Sequence, residues 1–207
     1  MEISNKIPFS NPKFKNGLEP FQHEIVKEVL GSRKKIVMIN APTGCHGKDT
    51  VLRMFDNTLK GVQDIVVGDL LMGVYGQPRK VLKLYRGQGD MFIVDPLDKG
   101  LSFTVNSDHV LSLLSIRESD DNRFSVWELS VEEYLSFVKQ FYPLNLYRIE
   151  PIKQYRYVSF KISITEFLIK SVPRDNYYGF ELDGDGLYCL RDYIITHNSG
   201  KSPIGMT

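Results

Sequence analysis

Hydrophobic positions change their rhythm along this chain at one sharp point. From Pro20, residues Phe21, Ile25, Val29 and Leu30 fall on one helical face, and Gly31 stands where a C-terminal cap belongs. The β-branched run Ile36-Val37-Met38-Ile39 reads as a buried strand and leads straight into the small-residue loop Ala41-Pro42-Thr43-Gly44. Helix, strand and small-residue loop in that order open a nucleotide-binding α/β domain. At Cys45 the rhythm changes. Lys60-Gly61, Gly73, Gly76-Gln77-Pro78, Gly87-Gln88-Gly89 and Asp98-Lys99-Gly100 are turn signals recurring roughly every ten residues, which predicts short strands without helix–strand alternation. One helix is expected inside this all-β unit. Ser130 and Glu133 have capping-box spacing, Leu129 and Tyr134 can staple the entry, and Val131, Tyr134, Leu135 and Val138 form an apolar stripe. Strands resume after Pro151, through 155–169 and 179–182, and end at Tyr193-Ile194-Ile195-Thr196.

Composition narrows the class. Of the 207 residues, 42% are hydrophobic and 25% charged, an ordinary globular balance with enough apolar side chains for a core. A net charge of +1 gives no global field toward nucleic acid or membrane. Two cysteines are too few for a disulfide scaffold. Cys189, between Leu187 and Leu190, is expected in the core, and a reducing cytoplasm is the simpler setting. There is no apolar run of membrane-spanning length and no secretory signal, so a soluble cytoplasmic monomer is expected. Glu118, Asp120 and Asp121 read as a solvated loop.

The far end of the chain, Ser199-Gly200-Lys201-Ser202, gains meaning when joined to Gly44. With residues 45–198 removed, the chain reads Ile-Val-Met-Ile-Asn-Ala-Pro-Thr-Gly-Ser-Gly-Lys-Ser. This is a phosphate-binding (Walker A) loop directly after a strand. Glycines 44 and 200 let backbone N–H groups close around phosphates, Lys201 neutralises charge, and Ser202 reaches a magnesium ion. The split motif divides the chain into 1–44, 45–198 and 199–207.

The edges of the insertion hold the groups that peptide-bond exchange needs. Cys45 supplies a thiol beside the Gly44 carbonyl, and attack there converts the amide to a thioester. That shift is uphill unless the fold strains the bond or stabilises the oxyanion. Ser199 has a hydroxyl to receive the acyl group. Asn198 can close its side-chain amide on its own carbonyl and release Ser199, with His197 as general acid/base or oxyanion donor. Autocatalytic splicing follows, with Gly44 joined to Ser199. Two other readings compete: a nucleotide-binding helicase or ATPase module, and self-cleavage without ligation.

The joined loop, together with Phe21-Gln22 upstream, resembles superfamily 2 helicases. Residues 45–198 resemble inteins with the Hedgehog/intein (HINT) fold, on three stretches. They are Cys45 with residues 60–69, Phe103-Thr104-Val105-Asn106-Ser107-Asp108-His109-Val110, and residues 178–186 with Thr196-His197-Asn198. The resemblance implies a mainly β, horseshoe-like domain with one short helix, flanked by host segments carrying a helix and a strand. It implies that His109 destabilises the first scissile bond and that Asn106 takes a place where threonine is commoner. Family members often carry an aspartate near Gly179 and a histidine near Gly186, so two helpers are expected to be missing. Asp183 and Asp185 are available substitutes, although Asp-Gly-Asp-Gly is first of all a turn. Residues 115–176 hold no dodecapeptide-like acidic motif and no His-Asn-His arrangement, so a mini-intein without endonuclease is expected. The domain would act in cis on its flanks, with no metal or other cofactor. ATP and magnesium, and nucleic acid, would concern only the complete host protein.

Overall fold

The computed structural model describes residues 44–116, 124–138, 143–153 and 158–198. The helix and strand expected before Gly44, the acidic loop at 118–121 and the residues from Ser199 onward lie outside the described residues.

Strands account for most of what is described: β1 (His46–Gly47), β2 (Val51–Arg53), β3 (Leu59–Gly61), β4 (Leu70–Met72), β5 (Pro78–Pro96), β6 (Phe103–Asn106), β7 (Val110–Ile116), β8 (Phe124–Ser130), β9 (Leu144–Lys153), β10 (Val158–Thr165), β11 (Phe167–Leu182), β12 (Leu187–Cys189) and β13 (Ile195–His197). One sheet runs β11-β1-β6-β5-β4 and closes into a cycle where β11 also pairs with β5. The second runs β10-β9-β7-β13-β12, with β8 on β7, and β2 and β3 form a separate hairpin. The mainly β expectation holds. Among the described residues no helix is long and apolar enough to cross a membrane.

The spacing of the strands does not follow the expectation everywhere. Gly87-Gln88-Gly89 is no turn. It lies inside β5, which pairs with β11 antiparallel from Phe167↔Pro96 to Leu182↔Val81 with a bulge between Val172 and Asp175. The glycines make room for an aromatic ring. A Cβ at Gly87 would overlap the Tyr177 hydroxyl, and one at Gly89 would stand 3.2 Å from the same ring. Gly76, by contrast, does turn the chain, together with Tyr75, both with positive φ (70° and 54°).

The expected helix is present and short. Helix α1 (Val131–Glu133) continues as a π-helical turn over Tyr134–Val138. Both capping-box bonds form: Ser130 Oγ accepts from Glu133 N at 3.2 Å, and Glu133 Oε2 accepts from Ser130 N at 2.7 Å. Val131 is fully buried, and Tyr134 and Leu135 pack on the core beside it.

Period-2 alternation distributes the core between two clusters. In β7, Leu111 and Leu113 join one cluster while Leu114 joins the other, and in β12 Tyr188 faces the first while Leu187 and Cys189 face the second. Strand β7 is therefore covered on both faces. Burying each of its leucines is worth about 2 kcal/mol, and the fully buried Ser112 is matched by the Tyr147 hydroxyl at 2.9 Å. Cys189 is a core residue as expected. Burial raises its thiol to about 12, and it lies on the strand face opposite Tyr188, with the Gly73 carbonyl 3.8 Å away.

Candidate functional site

The site forms where β6 turns into β7. Asn106 and His109 are the first and fourth residues of that turn, closed by His109 N donating to Asn106 O at 3.1 Å. Asparagine is favoured at the first position of such turns. The three-residue spacing of these two side chains is thus set by the turn itself.

Asn106 clamps the Cys45 peptide from both sides. Its backbone N donates to Cys45 O at 3.0 Å, and its side-chain Oδ1 accepts from Cys45 N at 2.7 Å. The nitrogen so held belongs to the Gly44–Cys45 bond. An acceptor on this nitrogen fixes the plane of the peptide and favours additional positive charge when the nitrogen leaves. Cys45 is fully buried. Its thiol sits on Gly179 of β11, where an added Cβ would overlap Sγ and stand 3.5 Å from Gly44 O.

Next to the thiol, β1 brings in His46, paired across to Tyr178 and Val105. His46 Nε2 hydrogen-bonds the hydroxyl of Tyr188, and its ring lies 4.5 Å from that of His109, centroid to centroid. Burial depresses the His46 imidazole to about 3, against a smaller opposing effect of the Thr104 backbone. His109 is also fully buried, and burial, then the imidazoles of His46 and His197, hold it well below the usual histidine range. Both rings are neutral at pH 7.

Strand β13 carries the other end of the insertion to the same turn. His109 Nε2 lies 2.7 Å from Thr196 Oγ1, and His197 pairs across to Val110. Asn198 is 4% exposed, its backbone N donating to Gly186 O at 3.0 Å. Its Nδ2, and Nδ1 of His197, are buried without a hydrogen-bond partner. An amide nitrogen with no competing acceptor is free to rotate toward its own backbone carbonyl. Among the described residues no group of three or more His, Cys, Asp or Glu is placed to hold a metal.

The sequence model of the family described as Hom_end-associated Hint matches residues 45–120. The fold is similar to that of the gp41-1 intein (TM-score 0.52, 18% identity, covering 75% of this chain and 98% of that one). It is also similar to that of a mutant Ssp DnaB mini-intein variant (TM-score 0.54, 11% identity, 75% and 99% covered). The chain has a Hint-type fold similar to that of these inteins. Among curated proteins, the catalytic subunit of the V-type proton ATPase from Candida tropicalis is 42% identical over 79 residues, which are 34% of this chain. The chain spans only 7% of that relative's length.

Gly44 of the flank and Cys45, Asn106, His109, His197 and Asn198 of the insertion gather around the β6–β7 turn. Ser199, Gly200, Lys201 and Ser202 lie outside the described residues. The two departures at Gly179 and Gly186 have a packing cause. Gly179 is the seat of the Cys45 thiol. Gly186 has φ +72°, and a Cβ there would stand 3.0 Å from both Asn198 O and His197 Nε2. Both aspartates are engaged at the Arg79–Lys80 end of β5. Asp185 forms a two-bond pair with Arg79 at 2.8 and 2.7 Å, and Asp183 accepts from Lys80 N at 2.8 Å. Sequence reasoning passed over His46, Tyr188 and Thr196. The one available signal was adjacency, since His46 follows the nucleophile and Thr196 precedes His197.

Proposed function

We propose that residues 45–198 excise themselves and join their flanks, and that the carrying observation is the Asn106 clamp on the Gly44–Cys45 peptide with the thiol beside it. The Cys45 thiol loses its proton to His109 and attacks the Gly44 carbonyl carbon. The C–N bond breaks, the proton passes to the departing Cys45 nitrogen, and a thioester remains. Ser199 Oγ then attacks the thioester, and the Cys45 thiol leaves with a proton. Asn198 Nδ2 attacks its own backbone carbonyl, releasing the Ser199 amine and closing a succinimide, with His197 moving the proton. The freed amine takes the acyl group from the ester, so Gly44 and Ser199 end in an ordinary peptide bond. The chemistry is single-turnover and needs only this chain's own groups. No endonuclease step belongs to the proposal.

The joined flanks complete a phosphate-binding loop through Gly44, Gly200, Lys201 and Ser202, so splicing precedes any ATP and magnesium binding by the complete host. The flanks resemble a superfamily 2 helicase, and the named relative is a proton ATPase. Their common ground is an ATP-binding host, and a helicase would add nucleic acid as its partner.

A small thiol distinguishes this reading from mere likeness of fold. In Asn198→Ala, the C-terminal steps are blocked while the thioester still forms. Dithiothreitol is then expected to release residues 1–44. An Asn198→Ala chain left whole by the thiol would refute the first step.

A further inference from the structure

The hydroxyl of Thr196 has one proton and two neighbours. It lies 3.4 Å from the Val110 carbonyl, to which it donates, and 2.7 Å from His109 Nε2. With its proton directed at Val110 O, the hydroxyl faces Nε2 as an acceptor. Nε2 must then carry the hydrogen, and in a neutral imidazole Nδ1 is left as the bare lone pair. Nδ1 is buried and has no hydrogen-bond partner. The groups facing the ring fit this assignment. His46 lies against it with the two rings tilted by 54° and is tied to Tyr188, and His197 lies on the strand that bears Thr196.

We propose that Thr196 is a positioning residue for the first junction step, holding His109 in the Nε2–H tautomer so that Nδ1 is available to receive the thiol proton. The inference rests on the splicing reading above. It also links the two ends of the insertion, because the residue that sets the first base stands two positions before the asparagine that cuts the second bond. An aliphatic side chain of the same shape would fill the space and leave the tautomer unspecified.

Two measurements test it. In a chain carrying Cys45→Ala and Asn198→Ala, nitrogen-15 NMR of the imidazoles is expected to show His109 protonated at Nε2 alone. Adding Thr196→Val should shift that signature toward a mixture. In the Asn198→Ala chain, Thr196→Val is expected to slow dithiothreitol-induced release of residues 1–44 by about tenfold or more, with Thr196→Ser restoring the rate. A His109 protonated at Nδ1 with threonine in place, or release at the unaltered rate in Thr196→Val, would overturn the proposal. A chain that forms no thioester even with Thr196 refutes splicing instead, and the NMR comparison still reads the tautomer on its own.

Discussion

Replacing Gly179 with alanine is expected to stop thioester formation at Cys45, and Cys45→Ala in the same chain is expected to remove the accompanying loss of stability. The added methyl would overlap Sγ, while its next contacts, 3.3 Å to Cys45 Cβ and 3.5 Å to Gly44 O, ask at most for a small shift. Overpacking of a closed core site costs about 1–3 kcal/mol. Displacing a reacting atom by 1 Å can lower a rate about 100-fold. Both effects act through one atom, so they should couple strongly in a double-mutant cycle. In an Asn198→Ala background, urea unfolding reads the stability and dithiothreitol release of residues 1–44 reads the chemistry. Release at the unaltered rate in Gly179→Ala would show that the thiol reacts from somewhere other than its seat on β11.

Acid is expected to destabilise the domain before its carboxylates are neutralised. His46 titrates at about 3 in the folded chain, and His109 is depressed in the same direction. Unfolded histidine titrates at about 6.5. Between those values the unfolded chain holds protons that the folded chain excludes, so stability rises with pH across that window. The contribution is complete above about pH 6.5 and is lost as pH falls toward the folded values. His46 contributes about 1.4 kcal/mol per pH unit there, and His109 adds in the same direction. Against a domain stability of about 5–15 kcal/mol, this predicts a marked loss of stability by pH 5, with unfolding there at the low end of that range. Urea midpoints at pH 7.5, 6 and 5 provide the measurement, and a constant midpoint over that range would contradict the burial of two neutral imidazoles.

The candidate groups at the two junctions were legible in the sequence because they are local: Cys45 and Asn198 mark the edges of a split loop. Asn106 and His109 entered only through the family resemblance, and the turn that joins them came from the structure. What escaped was the pairing of distant strands. Gly87 and Gly89 looked like a turn because nothing nearby in sequence shows that Tyr177, roughly ninety residues on, lies across them. Gly179 and Gly186 looked like lost helpers for the same reason, although one accommodates the thiol and the other bends the chain beside Asn198. Thr196 was indistinguishable from any strand threonine until β13 and β7 came into register at His197↔Val110. The helix was legible because a capping box spans only four residues, Ser130 to Glu133.

The most direct test of the account is an intact-mass measurement on the purified chain after expression under reducing conditions. The account predicts two species, one spanning residues 45–198 with a C-terminal succinimide and one in which residues 1–44 are joined to 199–207, both absent when Cys45 and Asn198 are alanine. A single mass corresponding to the unbroken 207-residue chain would contradict it.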